Sequence, residues 1–180
     1  MITDITNSRF EFVFYLLLVF IIYLIYAAVK RIRMKSLIAD ARFKNAKTFR
    51  FGIETTMAIS DDGLIGIVNV SLETITINIK DIEGFEVHIS RYIIPNAGAA
   101  ECGGLLFAGV GNRLKQILEQ EKTKGVVFFV RLKNDGILNI SLFKGTRLKT
   151  KPTGANQNII VQLFKTLEEV EKKCAPPRAR

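Results

Sequence analysis

"IPNAGAAECGGLLFAGVGNRL" spans Ile94–Leu114, and its reading decides what kind of domain this chain builds. It is rich in Gly and Ala, and Glu101 is its only charge before Arg113. A dinucleotide-binding turn needs G-x-G-x-x-G between a strand and a helix, so that the backbone can approach a pyrophosphate at the helix N-terminus. Gly109, Val110, Gly111 and Asn112 begin that pattern, but Leu114 occupies the third glycine position. A GxxxxGK[ST] phosphate loop does not occur either. A second membrane crossing over Tyr92–Gly111 is disfavoured by Pro95, Asn96, Glu101 and several glycines. Two readings remain open. Leu105, Leu106, Phe107 and Val110 form an exposed apolar feature that meets a partner or the bilayer, or they pack into the domain's own core with Gly103 and Gly104 allowing a bend. The length of the segment as a connection favours interaction. Asn112 is placed to cap a helix that carries Leu114, Ile117 and Leu118 on one face.

Upstream, "FVFYLLLVFIIYLIYAAV" (Phe12–Val29) is 18 residues without a charge. At about 1.5 Å per residue it reaches roughly 27 Å, close to the hydrocarbon thickness of a bilayer. Phe12, Leu17, Ile22 and Val29 mark its course, and Tyr15, Tyr23 and Tyr26 fall near its ends, where amphipathic rings favour the interface. A cleaved secretory signal fits poorly, because acidic residues precede the run and a cut after Ala28 places Tyr26 at −3. The expected topology has residues 1–11 as a short outward tail and residues 12–29 as the transmembrane helix. Between Lys30 and Arg50 lie eight basic residues and one acid, a balance of 8 − 1 = +7 out of the chain's +9. Basic flanks stay cytoplasmic, so the expected location of everything after Val29 is the cytoplasm, beneath a bacterial inner (plasma) membrane. Lys30, Arg31, Arg33, Lys35, Arg42 and Lys44 are the membrane-proximal basic residues, on a helix expected over 30–47, with Met34, Leu37, Ile38 and Ala41 on its apolar face. A basic face at the bilayer attracts anionic headgroups. No nucleic-acid module accompanies the charge, and no nucleic-acid partner is expected.

From Phe49 the period becomes two. Phe49–Ile59, Leu64–Val70, Ile75–Ile79 and Ile82–Ser90 read as a four-stranded antiparallel meander, with "SDDG" (Ser60–Gly63) as a turn. "GVVFFVRLK" and "ILNISLF" flank "NDG", a hairpin signal. One further strand is allowed within 104–110. In the closing segment Ile160, Leu163, Phe164, Leu167, Val170 and Cys174 form the stripe of an amphipathic helix ended before Pro176 and Pro177. The tail 176–180 is expected to be disordered.

This order of elements, with the glycine-rich insertion "AGAAECGGLLFAGVG", resembles the pleckstrin-homology-like superfold as carried by uncharacterised membrane-anchored bacterial proteins. The resemblance covers residues 49–174. It implies a mainly β fold with helices: a transmembrane helix, then a PH-like antiparallel barrel or sandwich over residues 48–175, with an insertion and short helix over 91–124 and a C-terminal amphipathic helix as cap. It also implies a platform for proteins or peptides. Asp61 and Asp62 in the first hairpin would repel a phosphate there, which argues against phosphoinositide binding at that hairpin.

The chemistry-bearing residues are sparse. The single histidine, His88, alternates with Val87 and Ile89 and falls on the polar face of its strand with Glu86 and Ser90. Glu168, Glu169 and Glu171 are interspersed with lysines and read as a solvated helix face. Cys102 and Cys174 in a reducing compartment are not expected to pair. With one His and two Cys, no His/Cys zinc set can be assembled. No catalytic, cofactor-binding or metal-ligating residues are assigned. The expectation is a non-enzymatic, single-pass membrane protein whose cytoplasmic module binds a protein partner, or, alternatively, anionic lipid through the basic helix and the apolar insertion. Self-association into a homo-oligomer is compatible with either.

Overall fold

The computed structural model describes residues 2–40, 42–43, 45–51, 55–96, 105–120, 125–144 and 154–175, with side chains from residue 11 onward. Helix α1 (Ile2–Ala39) is continuous for 38 residues. Residues 2–11, expected as a tail, are therefore helical. From Glu11 the helix is long and apolar enough to cross a membrane, a property it shares with N-terminal signal sequences. It ends at Ala39 and not at residue 47, since β1 begins at Lys47.

Among the described residues, eight strands form two antiparallel sheets. β1 (Lys47–Phe51), β2 (Thr55–Ile59), β3 (Leu64–Val68) and β4 (Thr74–Asn78) make the first, in that order. β5 (Ile82–Ile89), β6 (Tyr92–Pro95), β7 (Gly125–Leu132) and β8 (Ile137–Lys144) make the second, in the order β6-β5-β7-β8. Helix α2 (Val110–Gln120) lies between β6 and β7 in the chain, and α3 (Gly154–Cys174) follows β8.

Four expectations need correction. The stretch Phe49–Ile59 is a hairpin, not one strand, with Phe51 opposite Thr55. Phe49, Phe51, Met57 and Ile59, all odd-numbered, share the main core, so one parity serves both strands, while the even-numbered Thr56 and Ala58 of β2 are buried as well. β5 leaves the meander, because a 3-10 turn at Ile79–Asp81 redirects the chain into the second sheet. The sheets do not close into a barrel: among the described residues no strand of one pairs with a strand of the other. Finally, the region given to the insertion contains β6, with Ile94 opposite Val87, while residues 105–109 form no strand and α2 already starts at Val110, two residues before Asn112.

The core fills the space between the inner faces of the sheets and α3. Met57, Ile59, Ile65 and Ile67 come from the first sheet, Phe85, Val87, Phe128 and Val130 from the second, and Ile160, Leu163, Phe164 and Leu167 from α3. At its centre Phe85, Phe107, Phe128 and Phe164 pack ring on ring. Phe85 and Phe107 stack at 4.6 Å, and Phe128 meets Phe164 edge-on at 5.0 Å. Such pairs add to the stabilisation from area burial alone.

A second, smaller core lies on the outer face of the first sheet. Met34 from α1 and Phe43 pack on Ala58 and Val68, with Leu37, Ile38, Ala46 and Leu64 around them. Ala58 stands directly opposite Gly66 in the β2–β3 register. Two small residues side by side leave a flat seat for the helix. A Cβ built at Gly66 would collide with Leu37 Cδ2 and come within 3.0 Å of Phe43 Cζ. The apolar face of the juxtamembrane helix is thus covered by the protein itself. The seat is also tied by polar contacts: Tyr26 Oη donates to the Val70 carbonyl at 2.9 Å, and the Arg33 guanidinium donates to the Leu72 carbonyl.

Candidate functional site

At the end of the domain where α3 stops, a groove of about 580 Å³ is lined by Ile79, Ile82, Leu105, Leu106, Lys80, Lys133, Glu171 and Cys174. Ile79 is brought there by its backbone N–H, which donates to the Gly63 carbonyl at 2.8 Å and holds the 3-10 turn against the β2–β3 hairpin. Gly63 has φ +85°, a conformation that favours glycine, and closes the turn with its N–H to the Ser60 carbonyl. Lys133 is positioned by its N–H to the Asp81 carbonyl at 2.9 Å. Asp61, expected as an obstacle to phosphate, is paired to Lys173 of α3 at 2.9 Å.

The glycine-rich stretch divides here. Residues 97–104, including Glu101, Cys102, Gly103 and Gly104, lie outside the described residues, as do Ala41, Lys44 and the tail 176–180. Of the four candidate interaction residues, Phe107 and Val110 are 0% and 1% exposed and belong to the core, which corrects the exposed reading for both. Leu105 and Leu106 are half-buried and line the groove.

What fixes Leu105–Gly109 was missed in the sequence. Glu171 accepts two backbone N–H bonds, from Leu106 at 2.7 Å and Phe107 at 2.9 Å, and Glu168 accepts a third from Gly109 at 3.2 Å. Glu168 also pairs with Lys172 at 2.7 Å, so two members of the supposed solvated acid run latch a loop. The signal was present: Glu171 stands four residues after Leu167 and seven after Phe164, on the apolar stripe itself. A carboxylate at such a position needs hydrogen-bond donors. Burial raises its pKa above the ordinary glutamate value, opposed by the two backbone N–H bonds. The folded state therefore binds this proton more tightly than the unfolded chain. The contribution to stability is greatest below both pKa values and declines as pH rises from the ordinary value through the raised one.

Glu171→Ala leaves two N–H groups without their acceptor, at an expected cost of about 1–3 kcal/mol. Amide exchange should accelerate at Leu106 and Phe107 while Val87 in the middle of β5 stays protected. Unchanged exchange at both amides would show that the latch does not hold the segment.

The membrane-proximal cations take different places. Lys30 is 7% exposed, whereas Arg31, Arg33, Lys35 and Arg42 are exposed, and Arg42 pairs with Asp40 at 2.6 Å. Along the expected span, Phe12, Leu17 and Ile22 are exposed and Val29 is half-buried. His88 lies on the outer face of β5, with Nε2 at 2.7 Å from Glu86 Oε2 and its ring 4.5 Å from that of Phe129. Among the described residues no group of three or more His, Cys, Asp or Glu side chains is arranged to hold a metal ion. Comparison with family models, curated proteins and solved structures gives no match.

Proposed function

We propose that this chain is a single-pass membrane protein, N-terminus outward, that presents a PH-like domain to the cytoplasm of a bacterium as a non-enzymatic module for binding a protein segment. The observation that carries the reading is the way α1 docks. Tyr26, near the end of the apolar run, touches Val70 in the β3–β4 loop, while Leu37, eleven residues and about 16 Å further along the helix, sits over Gly66 in the middle of β3. The helix thus runs from the β3–β4 loop towards the β2–β3 turn. The loop faces the bilayer, and the groove beside the β2–β3 turn faces away from it. A signal sequence has no use for such a seat, and the +7 flank supports a cytoplasmic side for the groove.

The PH-like reading draws support from topology. With β6 and α2 set aside, β5-β7-β8 is a three-stranded meander that joins the four strands of the first sheet, and a C-terminal amphipathic helix closes the core. The groove suits an apolar segment flanked by carboxylates, because Lys80 and Lys133 stand beside Ile79, Ile82, Leu105 and Leu106. The test places a photocrosslinking amino acid at Leu105 or Lys133 in native membranes, with Ile93 on the edge strand β6 as the control. The expected result is one crosslinked partner from both groove positions, joined through an apolar peptide with flanking Asp or Glu. Equal crosslinking from Ile93, or none from the groove, would remove the proposal.

A further inference from the structure

A second cavity, of about 260 Å³, opens where α1 crosses the outer face of the first sheet. Its walls divide by chemistry. Tyr23, Tyr26 and Ala27 come from the end of the apolar run, and Lys30, Arg31 and Lys35 from the next turns of the same helix. Arg50 reaches it from β1 beside Thr56 of β2, since the two face each other in the register. Tyr23 and Lys35 are twelve residues apart, about 18 Å along the axis, so the cavity extends from the hydrocarbon edge through the headgroup layer. Lys30 is nearly buried beneath it, with its ammonium 6.0 Å from the centre of the Tyr26 ring. Arg31, Lys35 and Arg50 form no ion pair with a described carboxylate.

We infer that this cavity binds the phosphate headgroup of an anionic phospholipid of the inner leaflet. The inference rests on the membrane topology proposed above. Four cations converge from two elements that meet only because Met34 and Leu37 seat the helix, so the site is a product of the tertiary fold and not only of a basic sequence run. One wall, Tyr23, Tyr26 and Ala27, belongs to the end of the apolar run at the hydrocarbon edge, which a soluble phosphate would not need. Arginine offers a planar fork matched to phosphate oxygens, and lysine a point charge. The site uses Arg50 and Thr56, at the end of β2 away from the Asp61 turn, on the outer face of the first sheet.

The experiment uses the full chain in nanodiscs of phosphatidylcholine with a minor share of phosphatidylglycerol, followed by gentle release and native mass spectrometry. Retention in carbonate-washed membranes is measured in parallel. The expected result is selective retention of phosphatidylglycerol, with the ratio of the two lipid adducts falling about fivefold in Arg50→Gln and in Lys35→Gln, the factor one headgroup-level cation contributes. Arg131→Gln, the same charge loss on β7 of the second sheet, should leave the ratio unchanged. An equal fall in Arg131→Gln, or none in the two cavity variants, overturns the site while the membrane topology stands. Loss of the chain from carbonate-washed membranes overturns both. Displacement of the lipid by millimolar glycerol 3-phosphate would make the occupant a soluble phosphate and overturn the lipid assignment.

Discussion

Replacing Phe107 by Ala is expected to destabilise the domain by about 3–5 kcal/mol, the range for removing a fully buried aromatic ring. Phe107 is 0% exposed, stacked on Phe85 and within ring contact of Phe128 and Phe164. Since domains of this size are stable by about 5–15 kcal/mol in total, the variant should lose a large part of its folded margin, as measured by urea unfolding of the full chain in detergent. Leu105→Ala removes a side chain that still meets solvent, and its cost should be much smaller. The contrast matters for function. Binding lost in Leu105→Lys would report on the groove, whereas binding lost in a Phe107 variant would report unfolding. A Phe107→Ala chain as stable as the wild type would mean that Leu105–Gly109 does not plug the core.

The elements with an internal period were legible. The stripe from Ile160 to Cys174 is the one that α3 turns inward, and "NDG" joins β7 to β8 with Asp135 at φ +61°. What could not be read depends on contacts between segments far apart in sequence. A period of two says which side chains share a face but not where the strand reverses, so β1 and β2 merged. Nor does it say which sheet a strand joins, a choice made at Ile79–Asp81. Phe107 is apolar in an apolar context, and only the partner rings and the Glu171 latch determine that it points inward. Of the candidate groove, Leu105 and Leu106 were legible, while Glu171 was read as solvated, Lys133 only as the end of a strand, and Lys80 carried no reading. The lipid cavity needed Arg50, already counted in the basic flank, to be recognised as sitting opposite Lys30 across a helix–sheet contact.

A fragment beginning at Thr48 should be less stable than one beginning at Lys30 by about 3–6 kcal/mol, with roughly half coming from each of the side chains Met34 and Phe43. Both are almost fully buried, at 4% and 3% exposure, and neither is present in the shorter fragment. Strands β2 and β3 are buried on both faces: Met57, Ile59, Ile65 and Ile67 face the main core, and Ala58 and Val68 face α1. Removing the helix turns that second face into exposed apolar sheet, a surface prone to association. Chemical unfolding of the two fragments side by side gives the difference, and equal midpoints with equal slopes would mean that α1 is a tether and not a part of the domain. Gly66→Val tests the same seat without a deletion. Its side chain enters space held by Leu37 and Phe43, so the longer fragment should lose about 1–3 kcal/mol, while the fragment from Thr48, which has neither residue, should lose little. That non-additivity is the signature of direct contact between the two sites. It would make the anchor and the domain one body, whose groove and lipid cavity are held in fixed relation to the bilayer.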